Sequence, residues 1–304
     1  MDNFTSQFTV SVAIVAIGYL LKRGGYLTKK ESSTLAQLVM NFTIPASAIY
    51  NISQVTLDAK FGSIIVVSLL HNALLLSIAF FAFRKRPRHE KGGLLLLAPG
   101  LSLSSFTLPL LEGLHDSTAL TQVAMLDIGN APISLVGAYI LAYLYSSDSD
   151  ATLDCKKLAK SVLRTIPIMV YIVTIVLNVS KISYPPFVLN VASNIAKANM
   201  PCSFLMLGVA LEFHFGREEL LDLGKLLLLR YACGICVGLL LSYVLPVDPV
   251  TRFVIAVGLV APLPLSSITY TKQFHYKMEL PAAFANTTVL FSFFSAIFLY
   301  KILM

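Results

Sequence analysis

Apolar stretches of about 20 residues, separated by short polar or charged segments, run along the whole chain of 304 residues. A helix of about 20 apolar residues crosses the hydrocarbon core of a bilayer, whereas a membrane β-barrel shows alternating apolar and polar residues in segments of about ten. The pattern therefore predicts an all-α polytopic membrane protein. Its ten predicted membrane helices, numbered in chain order, cover residues 4–21, 33–54, 61–83, 93–114, 117–145, 159–179, 186–212, 223–245, 250–273 and 280–303.

The composition of the chain is unlike that of a water-soluble enzyme. Only 13% of the residues are charged and 56% are hydrophobic, whereas a soluble domain carries about 25% charged residues. The chain also contains no Walker loop, no dinucleotide-binding glycine pattern and no His-Glu-x-x-His sequence. We therefore expect no enzymatic activity, no bound cofactor and no metal site.

The net charge of +7 comes from Lys and Arg residues in short clusters between the apolar stretches. When the connecting segments are assigned alternately to the two sides of the membrane, 17 basic residues fall on one side and four on the other. An excess of Lys and Arg marks the cytoplasmic side, so we expect a protein of the plasma (inner) membrane with both termini outside. Because membrane helices separate the clusters, we expect no nucleic-acid partner.

Three pairs of residues repeat at a nearly constant separation. The pairs, each 155 or 156 residues apart, are Pro45 and Pro201, Pro109 and Pro264, and Asn130 and Asn286. They divide the chain into two halves of five predicted helices each, 1–150 and 151–304. Because five is odd, the second half enters the membrane from the opposite side, and the halves form an inverted repeat, as in many secondary transporters. In the alternative interpretation, each proline only kinks its own helix.

Several short motifs are distributed along the chain. Residues 18–28 read GYLLKRGGYLT, and they are followed by LAQLV at 35–39 and IPA at 44–46. Later motifs are TLPL at 107–110, MP at 200–201, LGV at 207–209 and APLP at 261–264. Together these motifs resemble the auxin efflux carrier family, which includes plant PIN-FORMED and PIN-like auxin exporters and bacterial carriers of malate or malonate. The short segment 146–158 between the halves is similar to that of the bacterial or PIN-like members.

The resemblance implies a fold similar to that of bile-acid symporters and the NhaA sodium/proton antiporter, in which predicted helices 4 and 9 are broken and cross. It implies a scaffold of predicted helices 1, 2, 6 and 7, and a transport domain of predicted helices 3–5 and 8–10 that moves as an elevator. The implied function is secondary active transport of a small organic anion, a carboxylate such as an auxin-like indole acid or a dicarboxylate.

Two alternatives to this function stay open: a sodium-coupled symporter of the bile-acid type, and a membrane sensor that binds a ligand without moving it. The segment SLSSFT at 102–107 departs from the glycine- and asparagine-rich pattern expected for the first crossing helix of the family. This departure leaves the identity of the substrate open.

Hydroxyl and amide side chains near the two crossing helices are the candidate substrate ligands. The N-termini of broken helices offer partial positive charge and free N–H groups to an anion, and hydroxyl and carboxamide groups add further hydrogen bonds. The candidates are Ser104, Ser105, Thr107 and Pro109 in predicted helix 4, Pro264, Ser266, Ser267 and Thr269 in predicted helix 9, and Asn130 and Asn286 in the helices that follow. Alternatively, the hydroxyl groups bond to carbonyls of their own helices, and the two asparagines only cap helix ends.

Charged or titratable residues inside predicted membrane helices are energetically costly and need a role. His71, Asp127 and Lys197 are candidates for coupling or gating. Alternatively, Asp127 and Lys197 form a static ion pair, and His71 is a neutral, hydrogen-bonded residue. The sequence leaves the coupling ion open between a proton and sodium. Arg230 lies about seven residues from the cytoplasmic end of its helix, and we expect its side chain to extend to the membrane surface.

Predicted helix 8 contains two small motifs. Gly234-x-x-x-Gly238 fits close helix packing and, alternatively, a homodimer. Cys233 and Cys236 have the spacing of a redox pair, but inside an apolar helix we expect them to be packing residues.

Overall fold

The computed structural model describes residues 3–54, 59–111, 114, 116–146, 166–211, 219–277 and 279–304. In these residues all regular secondary structure is helical, which confirms the all-α prediction. The α-helices are α1 (Asn3–Arg23), α2 (Lys29–Leu38), α3 (Ile44–Ser53), α4 (Ala59–Ala82), α5 (Arg88–Leu97), α6 (Leu108–Leu111), α7 (Ser117–Ala131), α8 (Ala138–Tyr145), α9 (Ile166–Val179), α10 (Pro186–Ala196), α11 (Asn199–Ala210), α12 (Glu219–Val244), α13 (Pro249–Leu259), α14 (Leu265–Gln273) and α15 (Glu279–Leu303). The described residues also include three π-helical segments. Val39–Thr43 joins α2 to α3, Leu103–Thr107 leads into α6, and Pro132–Gly137 joins α7 to α8.

Four helical stretches in the described residues are long and apolar enough to span a membrane. They are Gly62–Ala82, Thr118–Tyr145, Leu220–Val244 and Leu280–Leu303. Each stretch can cross a bilayer of ordinary thickness, because about 20 helical residues suffice. The predicted helical character is therefore confirmed for these four stretches, which are candidate membrane spans by length and composition, and the full set of ten crossings stays a prediction.

Two of the predicted membrane helices, 4 and 9, are interrupted. The first interruption, residues 98–102, separates α5 from the π-helical segment that leads into α6, and the second interruption, residues 260–264, separates α13 from α14. Gly100 has a φ of 88°, a left-handed conformation that glycine adopts without steric cost. Pro262 and Pro264 have no backbone N–H to continue a helix. The local sequence thus ends both helices inside their apolar stretches.

The chain forms two compact units, and each takes helices from both predicted halves. The first unit comprises Met1–Ser63, Leu103–Met125 and Thr165–Leu211. In it, α1 packs against α11, and α3 packs against α9 and α10. A Cβ atom on Gly208 of α11 would lie 2.1 Å from the carbonyl oxygen of Val15 in α1. The close approach of α1 and α11 therefore depends on a glycine at this position.

Two side chains of the first unit cap the ends of neighbouring helices. Lys22 Nζ, in the last turn of α1, donates a hydrogen bond of 2.8 Å to the carbonyl oxygen of Leu211 after α11. Asn178 Nδ2, in the last turn of α9, donates one of 2.7 Å to the carbonyl oxygen of Ile52 in α3. Lys22 and Asn178 are 156 residues apart, which is the separation of the predicted repeat. The acceptors, Ile52 and Leu211, are 159 residues apart, so the two contacts are similar, and the repeat stays a prediction.

The second unit comprises Ile64–Ser102, Leu126–Arg164 and Glu212–Met304. Its core includes the fully buried side chains of Leu95 in α5 and Phe284 in α15. Both interruptions belong to this unit, so the packing of α4, α5, α12, α13 and α15 determines how they are positioned.

Helix α12 packs closely on α13 within the second unit. A Cβ atom on Gly234 would lie 2.6 Å from the carbonyl oxygen of Leu259, and one on Gly238 would lie 3.0 Å from Cα of Ala256. The Gly-x-x-x-Gly motif therefore packs against another helix of the same chain, and the homodimer stays a prediction. Cys233 has a free thiol.

Candidate functional site

The two interruptions lie against each other inside the second unit. The backbone N–H of Ser102, in the first interruption, donates a hydrogen bond of 3.0 Å to the carbonyl oxygen of Pro262, in the second. Non-helical backbone leaves N–H and C=O groups without helical partners. Burying such a group in an apolar environment without a hydrogen bond costs about 2–7 kcal/mol. Each interruption therefore satisfies part of the hydrogen-bonding requirement of the other.

Arg230 of α12 joins the two interruptions. Its side chain is buried, with 3% exposure, and its guanidinium group donates hydrogen bonds to carbonyl oxygens on both sides. The acceptors are Ala98 at 2.7 Å, Pro99 at 3.4 Å, Gly100 at 2.8 Å and Ala261 at 2.9 Å. A single side chain thus binds the carboxyl-terminal end of α5 and the backbone that follows α13.

The prediction that Arg230 extends to the membrane surface is wrong. Carbonyl groups at the end of a helix have no N–H partner in that helix, and they carry partial negative charge. A guanidinium group offers five donors in a fixed planar arrangement, so one arginine can satisfy several such carbonyls at once. The sequence signal that indicates this role is an arginine inside an apolar helix in a chain with two proline-rich interruptions.

Two asparagines hold the first interruption. Asn130 at the end of α7 accepts a hydrogen bond from the N–H of Leu101 and donates one to the carbonyl oxygen of the same residue, both at 2.9 Å. Asn72 Oδ1 of α4 accepts one of 2.6 Å from the N–H of Gly100. The capping role that we considered for Asn130 is therefore present. Asn72 was not among the predicted site residues, although an asparagine in the middle of an apolar helix is itself a signal.

Helix α15 supports the second interruption through hydroxyl groups. Thr288 Oγ1 accepts a hydrogen bond of 3.2 Å from the N–H of Leu263, and Ser292 Oγ donates one of 2.6 Å to the carbonyl oxygen of Val260. Asn286 lies on the same helix and is buried, with 4% exposure. Asn286, the predicted counterpart of Asn130, thus lies on the helix whose hydroxyl groups, two and six residues further along, contact the second interruption.

The predicted ligands of predicted helix 9 lie at the start of α14. Pro264 is the N-cap residue, and it makes no side-chain cap. Ser266 Oγ donates a hydrogen bond of 3.1 Å to the carbonyl oxygen of Ser134, which is the carbonyl-bonding role that we considered as the alternative. Ser267 Oγ is buried and has no hydrogen-bond partner among the described residues. Thr269 is exposed.

The predicted ligands of predicted helix 4 belong to the first unit. Ser104, Ser105 and Thr107 lie in the π-helical segment before α6. Ser104 Oγ is 3.2 Å from the hydroxyl oxygen of Tyr171, and Thr107 Oγ1 is buried without a partner in the described part of the chain. Because this group and the group on α14 belong to different units, a shared substrate site stays a prediction.

The position of the first interruption differs from the one that we associated with Pro109. The interruption is centred on Pro99 and Gly100, whereas Pro109 lies in the first turn of α6. Pro109 lies inside the continuous helical stretch formed by Leu103–Thr107 and Leu108–Leu111, so it does not break that stretch. Pro99, rather than Pro109, is therefore the proline of the first interruption.

The candidate coupling residues are distributed over both units. In the second unit, Asp127 is 8% exposed and accepts a hydrogen bond of 3.3 Å from Asn130 Nδ2. His71 is 2% exposed. Neither of its ring nitrogens has a partner of normal hydrogen-bond geometry in the described residues. Its polar neighbours are Arg230 and the backbone of Leu259. Lys197 is exposed after α10 in the first unit. The ion pair of Asp127 with Lys197 and the coupling roles stay predictions.

Comparison of the chain with models of known protein families and with curated proteins found no significant match. The resemblance to the auxin efflux carrier family therefore stays a prediction. Within the described ranges, no three His, Cys, Asp or Glu side chains come together as a metal site requires.

Proposed function

We propose that the chain is a secondary active transporter that moves a small organic anion, a carboxylate, across the plasma membrane. The observation that carries this proposal is the contact of two interrupted helices whose carbonyl ends are both bound by Arg230. Discontinuous helices that meet in the interior of a membrane protein are typical of secondary transporters, which bind their substrates at such crossings.

The start of α14 favours an anion as the substrate. Its N-cap residue, Pro264, provides no side-chain cap, and of the first three N–H groups of the helix that of Ser267 bonds to the carbonyl oxygen of Pro264 at 3.1 Å. The hydroxyl group of Ser267, one turn into the helix, is buried and has no partner among the described residues. Partial positive charge at a helix N-terminus and a free hydroxyl donor together suit a carboxylate.

We further propose ten membrane crossings in two inverted repeats, with elevator-type alternating access. The first unit, which contains α1 to α3 and α9 to α11, would be the scaffold, and the second unit would be the transport domain. In support, both interruptions, Arg230, Asn72 and Asn130 all belong to the second unit, so these parts of the crossing can move together, whereas α6 belongs to the first unit. The similar contacts of Lys22 and Asn178 in the first unit support the repeat.

The sodium-coupled alternative is less well supported at this crossing. Backbone carbonyls of a broken helix are the groups that bind sodium in several transporters. Here the carbonyl groups of Ala98, Gly100 and Ala261 already accept hydrogen bonds from Arg230. The guanidinium group therefore supplies the positive charge that a sodium ion would bring to these atoms.

The direct test is uptake of labelled malate, malonate and indole-3-acetate into proteoliposomes, with an imposed gradient of either protons or sodium. The proposal expects one acid to accumulate under one gradient, and protein-free liposomes are the control. Binding of an acid without transport would instead identify a sensor. Neither binding nor transport of any acid in the panel would overturn the carboxylate assignment.

A serine variant tests the location of the substrate site. Ser267→Ala removes a hydroxyl group that has no partner in the described protein, so we expect KM to rise about tenfold, the value of a hydrogen bond to a charged group, with unchanged thermal stability. The control is Ser77→Ala, which removes an exposed hydroxyl group on α4. Asn130→Ala is a less specific probe, because its amide also holds Leu101. An unchanged KM in Ser267→Ala would contradict a site at the start of α14.

A further inference from the structure

A cavity of about 310 Å³ lies at the end of α4, outside the crossing. It is lined by residues 81–86, which form the end of α4 and the segment after it, and by Lys225 of α12. The membrane-spanning part of α4 ends at Ala82. The cavity therefore lies where an apolar helix gives way to charged residues, which in a bilayer is the depth of the lipid headgroups.

The cavity carries an excess of positive charge. Among the cations that line the cavity, Arg86 alone has acidic partners in the described part of the chain. Its guanidinium group donates two hydrogen bonds of 2.7 Å to the carboxylate of Asp222, and it lies 3.7 Å from a carboxylate oxygen of Glu90. Arg84, Lys85 and Lys225 are exposed, and no carboxylate of the described residues lies within ion-pair distance of them. Three cations, two from the segment after α4 and one from α12, thus line one opening without a carboxylate partner in the described ranges.

Aromatic side chains lie beside these cations. Phe81 lines the cavity and is 67% exposed, and its neighbour Phe80 is 42% exposed. The ammonium group of Lys91 lies 3.5 Å from the centre of the Phe80 ring, which adds positive charge to this edge. A ligand of this site would therefore combine a negatively charged group with apolar chains.

We propose that this cavity binds the phosphate headgroup of an anionic phospholipid, with the acyl chains along the apolar surface of α4. Basic pockets between membrane helices are suited to anionic headgroups, and a cavity of this volume accommodates a phosphate ester rather than a whole lipid. The bound lipid would join the end of α4 to the start of α12. This inference does not depend on the transport proposal, since it concerns a different site and a different ligand.

Native mass spectrometry of the purified full chain in detergent tests the site. The probes are phosphatidylglycerol and phosphatidylcholine with the same acyl chains, and glycerol 1-phosphate as the soluble headgroup. We expect phosphatidylglycerol to bind more tightly than phosphatidylcholine. We also expect Arg84→Gln/Lys85→Gln/Lys225→Gln to weaken phosphatidylglycerol binding at least about tenfold, because each basic residue near an anionic surface contributes about fivefold. Lys225→Gln alone is the milder variant, with an expected effect of about fivefold.

A second triple variant controls for the overall charge of the protein. Lys30→Gln/Lys272→Gln/Lys277→Gln removes the same number of exposed cations, on the same predicted side of the membrane but outside the cavity. We expect it to leave phosphatidylglycerol binding unchanged. Equal weakening in both triple variants would overturn the proposal, as would equal binding of the two lipids. Displacement of the lipid by an equal concentration of glycerol 1-phosphate would overturn the lipid assignment in favour of a soluble phosphate.

Discussion

Thr43 Oγ1 donates a hydrogen bond of 2.8 Å to Oδ1 of Asn199, a residue 156 positions further along the chain. Pro45 and Pro201, each two residues further on, have the same separation. In an inverted repeat, two corresponding residues can contact each other only near the axis that relates the halves. The Thr43–Asn199 contact agrees with such an axis through the first unit.

The Thr43–Asn199 contact leads to a stability prediction. Asn199 also donates a hydrogen bond of 2.6 Å to the carbonyl oxygen of Ser104, so Asn199→Ala leaves several buried groups unpaired and should lower the free energy of unfolding by about 2–3 kcal/mol. Thr43→Val removes one donor and should cost about 1 kcal/mol. Thermal unfolding in detergent, with the exposed Thr34→Val as control, measures this order. An Asn199→Ala variant as stable as Thr34→Val would contradict a structural role for the contact.

Substitution of Arg230 should destabilise the protein strongly. Arg230→Met leaves the carbonyl groups of both interruptions unpaired, and we expect a loss of more than about 3 kcal/mol. Arg230→Lys keeps the charge but cannot reach all the acceptors, so we expect a loss of about 2 kcal/mol. The matched control is Arg252→Met, since Arg252 Nε donates to a single carbonyl group, that of Val247. Equal unfolding temperatures for the two methionine variants would show that Arg230 does not hold the crossing.

Two glycines on different helices should respond in opposite ways to alanine. Gly208→Ala places a methyl group 2.1 Å from the carbonyl oxygen of Val15, so α1 and α11 must separate, at a cost of about 1–3 kcal/mol. Gly224→Ala meets no atom within 4 Å, and the higher helix propensity of alanine should raise stability by about 0.5–1 kcal/mol. Thermal unfolding of both variants checks the signs; stabilisation by Gly208→Ala would refute the close contact.

The N-cap of α13 should make stability depend on pH. Asp248 accepts hydrogen bonds from the N–H of Thr251 at 3.0 Å and from its hydroxyl group at 2.5 Å, and the hydroxyl bond holds the pKa of this carboxyl group below its ordinary value. A pKa that is lower in the folded state contributes stability above the unfolded value, near about pH 4, and this contribution is lost as the pH falls through the folded value. Because Asp248 is largely exposed, we expect less than about 1 kcal/mol.

The measurement for this prediction is the difference in unfolding temperature between the unmodified protein and Asp248→Asn as a function of pH. The difference should be constant above about pH 5 and should shrink below about pH 4. A difference that stays the same across this range would mean that the ionised carboxylate does not stabilise the cap.

The sequence predicted the helices that the membrane environment dictates. The predicted helix at 61–83 corresponds to α4 (Ala59–Ala82), and the one at 280–303 corresponds to α15 (Glu279–Leu303). This agreement has a local cause, since every backbone polar group inside a bilayer must be satisfied within its own helix. The helical class and the approximate bounds of long apolar helices can therefore be read along the chain, residue by residue.

The partners of the crossing were decided only by the tertiary structure. Arg230 is 132 residues from Ala98 and 31 from Ala261, and no local pattern tells which carbonyl groups its guanidinium will meet. The constant separation of Pro109 and Pro264 also pointed to Pro109, whereas the first interruption contains Pro99. The length of an apolar stretch is a local property of the sequence. The pairing of carbonyl groups without helical partners depends instead on which distant segments pack together. This pairing is determined only when the helices of the second unit assemble.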